Sequence, residues 1–93
     1  MPSLSDDTIT ERLTALAGWS REGDEIVKTF ELPSFPDAIA FVDRIAVEAE
    51  AADHHPDLDI RYRKVRVALT THDQGGITDN DFALATKIQS FEA

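Results

Sequence analysis

The chain contains no cysteine, which removes disulfides, thiolate metal sites and thiol nucleophiles together and fits a reducing compartment. Basic residues are scarce: nine Lys and Arg stand against eighteen Asp and Glu, for a formal charge of −9. That balance argues against a nucleic-acid partner, because neutralising phosphates needs a basic face. The local exception, Arg61-Tyr62-Arg63-Lys64-Val65-Arg66, reads as the solvated side of a β-hairpin. Apolar runs such as Ala38 to Val42 fall far short of the roughly 20 residues that span a bilayer, so no membrane association is expected. Met1 to Asp7 has neither the basic nor the apolar region of a secretion signal, and a cytoplasmic location is expected. No linker, repeat or low-complexity segment breaks the chain. What is present is ordinary for a soluble fold: 93 residues, 42% of them hydrophobic, enough for one domain over residues 1–93 with a single modest core.

Three stretches carry helical periodicity. Ser5 is a plausible N-cap, with Asp6 and Asp7 in the first turn where carboxylates suit the helix dipole. Ile9, Leu13 and Leu16 share a face, and Gly18 is expected to close the helix. The central helix starts at a Ser34/Asp37 capping pair and carries an expected core stripe of Phe35, Ile39, Val42, Ala46 and Ala49. Pro56 stops it, leaving His54 and His55 at or just past its end. The last helix starts at Thr78, with Asp81 completing a capping box, Ile77 placed to staple against Phe82, and Leu84, Ala85, Ile88 and Phe91 on its buried face.

Strands fill the gaps. Trp19–Arg21 and Glu25–Leu32 flank a turn at Glu22-Gly23-Asp24. Leu58, Ile60 and Tyr62 alternate, then Val65, Val67 and Leu69. Arg63-Lys64 is a poor turn sequence, so a hairpin and one long bent strand both fit. The order α-β-β-α-β-β-α implies an α+β fold of two layers, a four-stranded antiparallel sheet with its helices on one face. The other sheet face must then be polar or covered, and subunit association is the natural cover.

The chemistry concentrates in one window. All three histidines, His54, His55 and His72, fall between Glu50 and Asp73. Imidazole is the side chain whose unperturbed pKa, about 6.5, allows proton transfer near neutral pH. If the third and fourth strands form a hairpin, the exit of the central helix and His72 lie at the same end of the sheet. Three imidazoles at one cleft can protonate a leaving oxygen and remove a proton from a neighbouring atom. Glu50, one turn before His54, is placed to pair with it and fix its tautomer. Asp53 has no assigned role from its position. Asp81 is accounted for by its capping box. Trp19 and Tyr62 read as packing residues or as walls of the pocket.

Glu50-x3-His54-His55-Pro56-x5-Tyr62-x9-His72-x8-Asp81 resembles, without a gap, the signature of the pterin-4a-carbinolamine dehydratases. The likeness extends to Gly18-Trp19, Thr70-Thr71-His72 and Gly76-Ile77-Thr78, nearly the whole chain. The resemblance implies a hydro-lyase that dehydrates 4a-hydroxytetrahydrobiopterin, or a related pterin carbinolamine, to the quinonoid dihydropterin. It implies His54 and His72 as the acid/base pair and His55 as a catalytic-site residue that orients the ring. Glu50, Asp53 and Asp81 would support them. His54, His55, Pro56, Thr71, His72, Asp73 and Gln74 would line the pterin pocket. No metal or organic cofactor is implied, and a homodimer or homotetramer is. Asp73-Gln74-Gly75-Gly76 departs from the Glu and small residues common there, at the pocket rim.

Two other classes compete. A metal site built from the three histidines and Glu50, Asp53 or Asp73 suffers because adjacent histidines diverge, and no dedicated metal motif is present. A non-catalytic dimerisation or assembly cofactor can use the same fold, but such a protein has no need of all three histidines, and this chain keeps them.

Overall fold

The computed structural model describes residues 3–91. Its elements are α1 (Asp6–Leu13), β1 (Ser20–Glu22), β2 (Glu25–Glu31), α2 (Phe35–Ala52), β3 (Asp57–Arg61), β4 (Lys64–Leu69), a single 3-10 turn (His72–Gln74) and α3 (Asp79–Gln89). The sheet runs β1-β2-β4-β3 with every neighbouring pair antiparallel. It is the two-layer α+β arrangement that the periodicities imply.

Strand register decides which side chains meet the helices. Ile26 and Phe30 of β2 and Val65, Val67 and Leu69 of β4 share one face, and all are buried with Ile9, Ala38, Phe41, Ile45, Ala49, Phe82, Leu84, Ala85 and Ile88 from the three helices. Trp19 packs edge-on against Phe30 at 6.0 Å, and Phe30 against Phe41 at 4.8 Å. Such aromatic pairs add roughly 0.5–1.5 kcal/mol beyond the area they bury. Trp19 is a core residue whose indole N–H donates to Gln89 Oε1 at 2.9 Å.

The open sheet face is polar except for the buried pair Val27 and Ala68. Glu22, Glu25, Thr29, Glu31, Asp57, Asp59, Arg61, Lys64 and Arg66 alternate onto it, with Arg66 paired to Glu22 at 2.8 Å. Polar and charged side chains thus account for most of this face.

Four local expectations need correction. Helix α1 ends at Leu13, capped by Thr14. Gly18 is left-handed at φ +84° but closes the following turns instead of the helix. The core stripe of α2 is Ala38, Phe41, Ile45 and Ala49, about one residue around from the expected arc. Of the expected five, only Ala49 is fully part of it; Val42 is half-buried and packs against it, Ile39 is half-buried, Ala46 is exposed and Phe35 is 48% exposed. The helix is apolar over more than half its circumference, so periodicity could not choose between the arcs. Both arcs carry one Phe and one Ile, and it is Phe41 and Ile45 that meet the core.

The second hairpin turns at Tyr62-Arg63, with Arg61 paired to Lys64. Tyr62 leaves the strand, adopts φ +56° and is 71% exposed. It neither packs nor walls the histidine site of its own chain: at about 3.4 Å per residue, β3 places it roughly 20 Å from Pro56.

Candidate active site

The end of α2 places the first two histidines. Asp53 caps the helix in the left-handed conformation, φ 49° and ψ 45°, and the His54 amide reaches back to the Ala49 carbonyl at 3.0 Å. This is a Schellman closure, with aspartate where glycine is commoner. Asp53 tolerates that geometry because its short polar side chain lowers the cost of a positive φ. Asp53 thus has a definite structural job, which is to turn the chain.

That reversal redirects both imidazoles. His54 Nε2 lies 2.5 Å from Asp81 Oδ1, its side chain only 11% exposed. His55 is exposed, and its Nε2 lies 2.7 Å from Glu50 Oε1. The expected Glu50–His54 pair does not form. An i, i+4 contact needs helical geometry through both residues, and the left-handed Asp53 breaks it one residue early. Each histidine has its own carboxylate.

His72 arrives from the sheet. Asp57 pairs with Ala68, so the start of β3 and the end of β4 lie side by side, and the His54–Pro56 turn flanks Thr70–His72. A tight loop then folds back: the Thr71 amide donates to Gly76 O at 3.0 Å, and the Gly75 amide to His72 O at 3.1 Å. Gly75, at φ +69°, supplies the left-handed residue that lets six residues close on themselves. His72, Asp73 and Gln74 sit exposed on this loop.

Asp81 ties the two sides together. Its side chain is 0% exposed. Oδ2 accepts the Thr78 amide at 2.8 Å and the Thr71 hydroxyl at 2.9 Å, while Oδ1 faces His54. The capping box forms as expected, yet it occupies only one carboxylate oxygen. A buried carboxylate must find partners for both. That requirement is the signal that points to the His54–Asp81 pair. Thr78, fully buried, is the other unexpected member: its hydroxyl lies 2.8 Å from that of Thr71.

The expected residues thus divide. His54, Asp81 and Thr71 are joined by hydrogen bonds, with His72 next in chain to Thr71. His55 and Glu50 form a separate exposed pair nearby. Pro56 is half-buried at the turn. Thr71 points its hydroxyl into the carboxylate network instead of outward.

Among the described residues no three His, Cys, Asp or Glu side chains are grouped to hold a metal ion, and the two adjacent histidines face different carboxylates. Nor is any described helix long and apolar enough to cross a membrane. A groove of about 460 Å³ between α1 and α3, lined by residues including Leu16, Phe82 and the Arg12–Asp79 ion pair, includes none of the histidines.

Residues 2–91 match the family model described as pterin 4 alpha carbinolamine dehydratase. A protein of Roseiflexus sp. (strain RS-1), provisionally named for that dehydratase, is 66% identical over 91% of each chain. One of Chloroflexus aurantiacus (strain ATCC 29366 / DSM 635 / J-10-fl), named in the same way, is 60% identical over 95% of each. The crystal structure of a transcriptional coactivator/pterin dehydratase from Brucella melitensis superposes with a TM-score of 0.95 at 32% identity, covering 98% of this chain and 99% of that one. A pterin dehydratase-like RuBisCO assembly factor of the alpha-carboxysome shares the fold at a TM-score of 0.63 and 20% identity, covering 77% of this chain and 83% of that one.

Proposed function

The chain belongs to the pterin-4a-carbinolamine dehydratase family, and we propose that it dehydrates 4a-hydroxytetrahydrobiopterin, or a close pterin carbinolamine, to the quinonoid dihydropterin. The observation that carries this reading is the pairing of half-buried His54 with fully buried Asp81, joined through Thr71 to the loop that bears His72.

The reaction breaks the C4a–O bond and removes the proton on N5. The nitrogen electron pair becomes the C4a=N5 double bond, and the oxygen leaves as water once an acid has protonated it. A neutral pterin thus gives a neutral product plus water, with one proton delivered and one taken. His54 and His72 are the acid/base pair in this reading. Each such group typically contributes about 10²–10⁴-fold. Exposed His55, held by Glu50, borders the ring and orients it. Pro56, Asp73 and Gln74 form the rim.

Self-association belongs to the same proposal, as a dimer or tetramer in the cytoplasm. What supports it is α2. Phe35, Ile39, Val42 and Ala46 recur at the 4-3-4 spacing of a helix-pairing seam, and they lie exposed or half-buried, only Val42 packing against the core. A second copy of α2 would cover them.

The activity is tested by following freshly generated 4a-hydroxytetrahydropterin by ultraviolet absorbance. Decay faster than in buffer, in proportion to protein concentration, is the expected result. A folded protein that leaves the spontaneous rate unchanged would overturn the reading.

A further inference from the structure

We infer that Thr71 and Thr78 are positioning residues: their hydroxyls form a one-way hydrogen-bond chain that holds His54 with its proton on Nε2, leaving Nδ1 as the nitrogen that exchanges protons with substrate. The catalytic consequence rests on the dehydratase reading; the assignment of the proton does not.

The direction of the chain follows from donor and acceptor counting. Oδ2 of the Asp81 carboxylate only accepts, so the Thr71 hydroxyl, 2.9 Å away, must spend its single proton there. The 2.8 Å contact between the two hydroxyls then has Thr78 as donor. Thr78 in turn accepts the Asn80 amide at 3.2 Å. Every proton in the series Asn80 amide, Thr78 hydroxyl, Thr71 hydroxyl points toward the carboxylate, and the Thr78 amide adds a second donor to Oδ2. Oδ1 remains an acceptor, and the group facing it at 2.5 Å is His54 Nε2. A neutral imidazole has one N–H, and here it must be Nε2–H.

Burial makes this arrangement firm. Thr78 and Asp81 are fully buried and Thr71 nearly so, and no buried side-chain nitrogen or oxygen among the described residues lacks a partner. A buried polar network of this kind is sensitive to each member. The orientation of His54 is thereby built on the first turn of α3 and the end of β4. Neither hydroxyl needs to touch the pterin.

The test combines nitrogen-15 NMR of the imidazoles with steady-state kinetics on wild type, Thr71→Val and Thr71→Ser. Wild-type His54, when neutral, should carry its proton on Nε2. Thr71→Val, nearly isosteric but without the hydroxyl, should give a mixture of the two tautomers and lower kcat about tenfold with KM within twofold, the scale of one lost hydrogen bond to a charged group. Thr71→Ser should restore both readouts. Wild-type His54 protonated on Nδ1 would overturn the inference outright, and this needs no variant to fold. So would Thr71→Val that keeps both the tautomer and kcat. If wild type accelerates no dehydration, the functional reading fails, while the NMR measurement still decides where the proton sits.

Discussion

Asp81 uses its two oxygens for different tasks: Oδ2 closes the first turn of α3 and Oδ1 holds an imidazole. In the proposed function, stability and activity are therefore coupled at one residue. Asp81→Ala leaves the Thr78 amide and the Thr71 hydroxyl buried without their acceptor, at a cost of about 1–3 kcal/mol for such groups. Urea denaturation should show a loss of that size, together with at least a tenfold fall in kcat. Unchanged stability would mean that water or a neighbour replaces the carboxylate. The spacing of the three histidines places them at one end of the sheet, but their partners are not legible in it. Pairing Glu50 with His54 assumed that helical geometry runs to residue 54, and the left-handed turn at Asp53 is a feature that an aspartate in sequence does not announce. Asp81 was read for its cap and not for its second oxygen.

At the scale of elements, most of the fold could be read because local signals agreed: the Ser5, Ser34 and Thr78 caps all form, and the strands alternate as a one-sided core demands. Where the sequence supports two answers, tertiary packing chose. Helix α2 has two apolar arcs, and the buried one contains Phe41 and Ile45. Phe41→Ala should cost about 3–5 kcal/mol, as large-to-small core changes do. Phe35→Ala should stay near 0.5 kcal/mol in the monomeric protein. Comparable losses at the two positions would contradict the assigned core. The β3–β4 turn was hard to read because Tyr62 occupies a left-handed position that β-formers avoid. Tyr62→Asn places a residue there that tolerates φ > 0, and thermal denaturation should show a gain of about 0.5–1 kcal/mol. A loss would mean that the tyrosine ring makes a stabilising contact in solution, for instance with another copy.

Among the described residues the exterior is largely acidic, the open sheet face is mostly polar, and an apolar arc of α2 is exposed. The charge of −9 favours solubility, and the sheet face, polar but for Val27 and Ala68, offers only a weak reason for association. The exposed arc of α2, with Phe35 at 48% and nearby Val47 at 66% exposure, gives a different one. Phe35→Glu combined with Ala46→Glu should lower the sedimentation mass by at least one subunit step while the monomer stays folded. An unchanged assembly would place the interface elsewhere.

The proposed function depends on elements distant in sequence meeting at one sheet end: the exit of α2, the end of β4 and the start of α3. The most direct test compares the dehydration rate of a 4a-hydroxytetrahydropterin with wild type, His54→Ala, His72→Ala and the double variant. Histidines acting as one acid/base unit should each cost about 10²–10⁴-fold, with the double variant little slower than the worse single one. Full activity in either single variant, or losses that simply multiply, would contradict a shared site.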